Sequence, residues 1–304
     1  MIKRYNTFSE YLKKKYCCRV YKIPLNIPAT CPNRDGTKGT GGCIFCGSKG
    51  AGFELNESTV PIKEQIKINT GYIGKKYNVE KFIAYLQNFT PTYMPLKRFE
   101  GYVNEITDEM VDLVAIYIST RPDCIDDGYL NFLKTIKEKH SIDIVLEIGL
   151  QTSNERTLEK LNRGHDVPCF IDAVRRTHAQ GIEVCAHVIT DIPYDTKEDT
   201  INTAELIKSL EISQIKCHSL YIPEDTVLAQ YYENKEFEPV TYEEYLERIV
   251  AFIRHSSHKA VFQRIIGRAP QRDTLFCNWG KSWWRIRDDI LGIMEANNFF
   301  QGSF

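Results

Sequence analysis

Short β-rich runs return along this chain, from the third of them on at intervals of about 30 to 40 residues, and that recurrence restricts its fold more than any other feature. Strands are expected over 20–27, 82–89, 111–119, 142–150, 182–190 and 214–222. Between them lie helix-like stretches at 60–78 and 126–140, and at 153–165, where Ser153 is the expected cap and Glu155 sits in the first turn. Two more follow, one over 169–181 with Gly181 as its stop, and one from Asp195 and Thr196 to about 211. Such spacing is that of βαβ units, whose crossovers are right-handed and whose sheet is parallel. Six units with no Gly-rich nucleotide fingerprint after the first strand imply an α/β fold, a partial (β/α)6 TIM-like barrel; a doubly wound sheet is the second choice. In either, reactive groups gather at the strand C-termini.

Composition narrows the class further. Apolar residues make up 42% and charged residues 26% of the 304 residues, ordinary values for a soluble globular protein. No apolar run reaches the roughly 18 residues of a membrane span, and the N-terminus lacks a signal-peptide core. A cytoplasmic location without membrane contact is therefore expected, where thiols stay reduced and ten cysteines point to metal or redox chemistry for some. Cys185 and Cys217 lie in strand-like runs and are expected in the core. Net charge is −1, but residues 1–25 sum to +6 and residues 248–287 to +8, leaving −15 elsewhere. Basic ends around an acidic middle imply an anionic partner. After 235 the pattern turns helical, notably at 241–257, so we expect a barrel over 1–235 with its basic N-terminal segment, and a helical, basic extension over 236–304 packed on it.

Directly after the first strand stands "TCPNRDGTKGTGGCIFC", with Cys31, Cys43 and Cys46 spaced C-x11-C-x2-C. Thiolates favour zinc or iron–sulfur clusters. Structural zinc needs four donors, and the first histidine of the chain is His140. A [4Fe–4S] cluster normally takes four thiolates, so three leave one iron open. A zinc-stabilised RNA-binding module completed by Cys17 or Cys18 stays open as the other reading.

The loop resembles the cluster loop of the radical S-adenosylmethionine (SAM) superfamily. Its long first gap departs from the usual C-x3-C-x2-C and is similar to the elongator-catalytic-subunit branch, above all to its small YhcC/YtqA-type bacterial relatives. "RYNTFSEYLKKKY" (4–16), "GLQTSNERTLEKLNRGH" (149–165), "QIKCHSLYI" (214–222), "VFQRIIGRAP" (261–270) and "NWGKSWWRIRDDI" (278–290) extend the resemblance over nearly the whole chain. It implies a [4Fe–4S] cluster on the three cysteines, SAM on the open iron, and a 5′-deoxyadenosyl radical that abstracts hydrogen from an unactivated carbon. A reductant such as flavodoxin or ferredoxin is implied as electron donor.

Candidate SAM contacts follow position by position. Phe45 precedes the last cysteine. Gln87 and Asn88 stand where the superfamily has a Gly-Gly-Glu-like turn. Ser119 and Arg121 end the third strand, although Arg121 also reads as a surface turn before Pro122. Glu147 and Gln151 end the fourth, and an inward Glu among Val, Leu and Ile is hard to explain by packing. Arg163 matches a carboxylate-contacting position, or else meets a helix dipole. Asp191 replaces the first glycine of the branch's "GLPGET" segment and Tyr194 the second.

His165, Lys216, His218, Arg264 and Trp283 are the candidate substrate contacts. The tail interleaves Phe262, Phe276, Trp279, Trp283 and Trp284 with Arg264, Arg268, Arg272, Lys281, Arg285 and Arg287, a pattern suited to RNA and equally to an aromatic core. The resemblance implies tRNA as partner, with the C5 side chain of the wobble uridine remodelled in a carboxymethylaminomethyl-to-aminomethyl type of step. No stretch is long enough for an acetyltransferase domain, so elongator's full reaction is not expected. A radical SAM enzyme acting on a small molecule or protein is the alternative.

Overall fold

Strands rich in Val, Ile and Leu must be covered on both faces, and here they are. The computed structural model describes residues 2–48, 50, 55–267 and 272–304; Arg268 and Pro270 of the tail motif lie outside the described residues. In chain order the elements are α1 (Phe8–Tyr16), β1 (Val20–Leu25), α2 (Ile62–Tyr77), β2 (Lys81–Leu86), α3 (Leu96–Glu109), β3 (Leu113–Thr120) and α4 (Asp127–His140). Then come β4 (Asp143–Gln151), α5 (Glu155–Lys160), α6 (Val167–Ala179), β5 (Glu183–Ile189), α7 (Lys197–Ser209) and β6 (Gln214–His218). The chain closes with β7 (Tyr221–Pro223), α8 (Val227–Glu233), α9 (Tyr242–His255), β8 (Val261–Arg264), β9 (Thr274–Cys277) and α10 (Trp283–Ala296).

Seven parallel strands form one sheet in the order β1-β2-β3-β4-β5-β6-β8. A flat sheet of this size would set its edges roughly 29 Å apart, from strand spacings of about 4.8 Å. Instead Lys22 on edge strand β1 touches Glu147 on β4 at 2.6 Å and Gln263 on the opposite edge β8 at 2.8 Å. The sheet is therefore curled into a half-barrel, the expected architecture with one strand more.

The extra strand is a correction. The 236–304 region is helical over α9 and α10, as expected, but it also supplies β8, where Phe262 pairs with Ile215, and β9, antiparallel to β7. Four residues are too few to display alternation. The 214–222 strand breaks after His218, so that β7 can pair elsewhere. Helix α3 was not expected at all, although it buries Phe99, Val103 and Ile106 at spacings of four and three. The cap of α5 is Asn154, whose side chain accepts from the amides of Arg156 and Thr157; Ser153 bonds Thr203 at 3.0 Å instead.

Two cores result. On the outer face the apolar residues of the strands, such as Leu86, Ile118, Leu146 and Val188, meet those of the surrounding helices, and Cys217 lies here. On the inner face α1 stoppers the N-terminal end of the half-barrel, where Leu12 packs with Val20, Ile83, Tyr117, Val145 and Cys185. Cys18 packs against that same lower core. The C-terminal ends of the strands are left open. No helix among the described residues is long and apolar enough to cross a membrane.

Candidate active site at the mouth of the half-barrel

The long gap between Cys31 and Cys43 is a folded-back loop. An antiparallel bridge joins Asp35 to Thr40, and the Gly42 amide donates to the Asn33 carbonyl at 2.8 Å. Left-handed backbone at Gly36, Gly41 and Gly42 makes the reversals possible. Asn33 Nδ2 donates to the Asn162 carbonyl and Asn162 Nδ2 to the Gly42 carbonyl, clamping the loop to the end of α5. The outcome is that Cys31, Cys43 and Cys46 line one cavity at the strand C-termini.

Cations meet the sulfurs. Arg163 Nη1 donates to Cys43 Sγ at 3.1 Å, and Arg34 Nη2 to Cys46 Sγ at 3.3 Å while also holding the Cys46 carbonyl. Burial pushes the Cys46 thiol up and the neighbouring Cys43 adds to it, with Arg34 opposing. Among the described residues only Glu147, Cys185 and His187 bring three ligand atoms within 4.8 Å of one another. The loop cysteines stand wider than one zinc ion with Zn–S bonds of about 2.3 Å would hold them. Cys18, at the stoppered end, supplies no fourth donor to them.

Of the other expected residues, Phe45, Gln87, Ser119, Arg121, Glu147, Gln151, Arg163, Lys216 and His218 all line the same cavity. Gln151 has positive φ at a register shift in β4, a bulge that turns its side chain inward. Arg121 is clamped bidentately by Asp123, at 2.9 and 3.0 Å, and this pairing outweighs burial to keep Asp123 ionised down to about 2. Arg121 Nη1 stays buried with no partner among the described residues. His165 accepts from Arg163 at 2.9 Å; burial and that guanidinium lower it to about 3, so the ring is neutral.

Asn88, Asp191, Arg264 and Trp283 do not line the cavity wall. Asn88 reaches toward Asn26 at 3.5 Å. Arg264 backs His218, with Nη2 2.5 Å from Nδ1. Trp283 lies on α10, partly exposed, with the Arg287 guanidinium 5.6 Å over its ring; Trp284 beside it is more exposed still. Trp279 instead packs on Tyr245 and donates to the Val240 carbonyl, so the tail is part core and part surface.

Asp191 braces the mouth from behind, accepting the Leu220 amide at 2.8 Å. Burial raises its carboxyl to about 7, against the ordinary 3.8. The folded state thus binds this proton more tightly than the unfolded chain, and stability falls as pH rises between those values. Asp191→Asn keeps the acceptor oxygen and removes the charge. It should be more stable than the parent at pH 8 by on the order of a few kcal/mol, with the advantage gone near pH 4. Urea unfolding at the two pH values checks this, and equal stability at pH 8 refutes it.

Below the mouth lies a polar floor that sequence reading caught only in part. Glu147 is fully buried and accepts from Lys22 at Oε1 and from Lys216 and His187 at Oε2, at 2.9 and 2.8 Å. Its expected partner was SAM or the ribose; both of its oxygens are engaged by protein. Burial would raise its pKa, but Lys216, Lys22 and His187 together hold it well below the carboxylate range. His187 is lowered to about 4 by burial and Lys216, so Nε2 carries the hydrogen it gives to the carboxylate. Tyr85 bonds Lys216 at 2.6 Å and Ser119 at 2.9 Å. Asn33, Arg34, Lys22, Tyr85 and His187 were all missed. Alternation with Ile83 on β2 and with Cys185 on β5 was the available signal for Tyr85 and His187.

The chain matches the Radical SAM superfamily model over residues 29–207 and a Radical_SAM C-terminal domain over 212–296. It is 30% identical to protein YtqA of Bacillus subtilis (strain 168) over 302 residues, 99% of this chain and 93% of that one. A shorter stretch of 139 residues, 45% of this chain and 25% of the other, is 27% identical to a protein of Methanocaldococcus jannaschii named tRNA uridine(34) acetyltransferase. The structure of the archaeal Methanocaldococcus infernus Elp3 superposes with a TM-score of 0.71 at 17% identity, covering 93% of this chain and 64% of that one. Loop, cavity and matches agree: the chain belongs to the radical SAM superfamily, whose enzymes use a [4Fe–4S] cluster and S-adenosylmethionine.

Proposed function

We propose that this radical SAM enzyme acts on tRNA and remodels the C5 side chain of the wobble uridine, in a step of the carboxymethylaminomethyluridine-to-aminomethyluridine type. The observation that carries the enzymatic part is one cavity with three thiols at its mouth and an ionised floor beneath. Three thiolates, two of them facing guanidinium donors, suit an anionic cluster, so Cys31, Cys43 and Cys46 would hold it, with Arg163 at Cys43 and Arg34 at Cys46 stabilising its negative charge. Gln87, Ser119, Arg121 and Gln151 lie where SAM would be held, and the buried Nη1 of Arg121, without a partner among the described residues, suits a carboxylate. Cluster and SAM together supply a carbon-centred radical. The chain's own task is to exclude water, fix the reacting carbon at the mouth and hold the far end of the side chain on the floor.

Support for RNA comes from three directions. Basic residues concentrate at both ends of the chain. Trp283 and Trp284 are presented to solvent beside Arg287, as base-stacking surfaces are. The partial relative from Methanocaldococcus jannaschii is named for uridine 34 of tRNA. A flavodoxin- or ferredoxin-like reductant completes the proposal.

Nucleoside mass spectrometry of tRNA tests it. Cells lacking the protein should accumulate carboxymethylaminomethyluridine and lose the aminomethyl product. An unchanged wobble-uridine profile sinks the reading.

A further inference from the structure

The floor of the cavity carries more positive than negative charge among the described residues. Register pairs Lys216 on β6 with Arg264 on β8, two cations side by side with no acid between them. Like charges so placed repel. The register shift between Ile215 and Lys216 is a bulge that turns consecutive residues of β8 inward: Gln263 reaches Lys22 at 2.8 Å, and Arg264 reaches His218 and the Cys217 carbonyl. Each neighbouring strand contributes to the same layer, Lys22 from β1, Tyr85 from β2, Glu147 from β4 and His187 from β5. Among the described residues Glu147 is the one acid there, and it already serves Lys22 and Lys216. Among the described residues no carboxylate pairs with Arg264. The next acids down the half-barrel, Asp143 and Glu183, are held by Lys15 at 3.0 and 2.9 Å.

Buried charge is ordinarily paired, because an unpaired ion in a low-dielectric interior is costly. The imbalance registers in the cations themselves. Burial lowers Lys216 to about 8, and Lys22 and Arg264 push in the same direction against Glu147. Lys22 and Arg264 are also lowered, mainly by burial. Lys216 and His218 line the cavity wall and Arg264 stands directly behind His218, so a surplus kept at this cost suits an anion from outside.

We propose that Lys216, Arg264 and His218 form a receptor for a carboxylate carried by the substrate, seating it on the floor while the carbon to be attacked stays at the mouth. A carboxylate presents two coplanar acceptor oxygens, which suit a guanidinium fork beside an ammonium. The inference rests on the reading above in one respect: the uridine side chain named there ends in such a group.

The test uses the full-length protein and 13C-labelled acetate as probe, followed by its carbon resonance at pH 7. Binding should saturate. Arg264→Gln should weaken it about tenfold or more, and since Arg264 has no acid to strand, this variant keeps its fold. Glu147→Gln, which removes the competing anion, should tighten it several-fold. A response that never saturates, one unchanged by Arg264→Gln, or tighter binding of inorganic phosphate than of acetate overturns the receptor. A parallel titration compares carboxymethylaminomethyluridine with its glycinamide counterpart. Saturable acetate binding without a nucleoside preference would leave the receptor supported and remove the uridine reading.

Discussion

Protein carrying Cys43→Ala, purified without oxygen, should be colourless, hold little iron or sulfide, and release no measurable 5′-deoxyadenosine from SAM after dithionite reduction, a loss of at least about a thousandfold. The size follows from the site's construction. Cys43 is the most buried of the three thiols, and its sulfur is the one that Arg163 Nη1 and Asn33 Nδ2 both approach, at 3.1 and 3.7 Å. Three thiolates are already one fewer than such clusters usually take, so a second vacancy leaves the metal with two. Alanine at 43 keeps the loop's backbone bonds, including the Cys46 amide to the carbonyl of residue 43 at 2.9 Å. Circular dichroism and melting temperature should therefore stay near the parent's. That separates lost chemistry from lost fold. Cys18→Ala, at the stoppered end of the half-barrel, should remain brown and active. If Cys43→Ala kept its colour and its SAM cleavage, the assignment of these ligands would be wrong.

What could be read from sequence, and what could not, divides along physical lines. Cys31, Cys43 and Cys46 were legible because a metal loop is local: its ligands lie within sixteen residues and its turns announce themselves as glycines. The parallel sheet was legible from strand spacing. The floor was not. Lys22 looks like one more member of a basic N-terminus until the sheet curls and brings β1 against β4 and β8. Arg264 was named as a substrate contact, but nothing local reveals that a bulge in a four-residue strand sets it beside Lys216. Arg34 and Asn33 lie within the cysteine loop, but their contacts to sulfur depend on how the loop folds back, which no local pattern displays. Partnerships made by closure of the sheet are invisible to periodicity. Those made by a turn are not.

Closure also sets the largest stability effect to be expected. Among the described residues Glu147 is the one carboxylate on the floor, and Glu147→Gln leaves Lys22 and Lys216 buried without a counter-charge. Removing one partner of a buried ion pair typically costs about 3–5 kcal/mol, because the other charge is left uncompensated. For a chain of 304 residues, whose unfolding entropy is about 2.1 cal/mol/K per residue, that is roughly 5–8 °C in melting temperature at pH 7. Glu147 itself is held well below its ordinary 4.5, first against burial and then by Lys216 and Lys22. Its contribution is therefore fully present above that ordinary value and is lost as pH falls through the depressed one. Lys216 works in the opposite sense. Its folded pKa of about 8 lies below the ordinary 10.5, so the unfolded chain binds its proton more tightly and the penalty of burying it fades as pH rises between the two. The deficit of Glu147→Gln should accordingly be large at pH 7 and shrink by pH 10, where a neutral Lys216 no longer needs the carboxylate. Adding Lys216→Met should recover much of the loss, a coupling on the order of 1–3 kcal/mol in the double-mutant cycle. Melting curves at pH 7 and pH 10 for the parent, both single variants and the double variant decide it. Additive losses that do not change with pH would mean that Glu147 is held by packing and hydrogen bonds alone, and that the floor carries no net charge to offer a substrate.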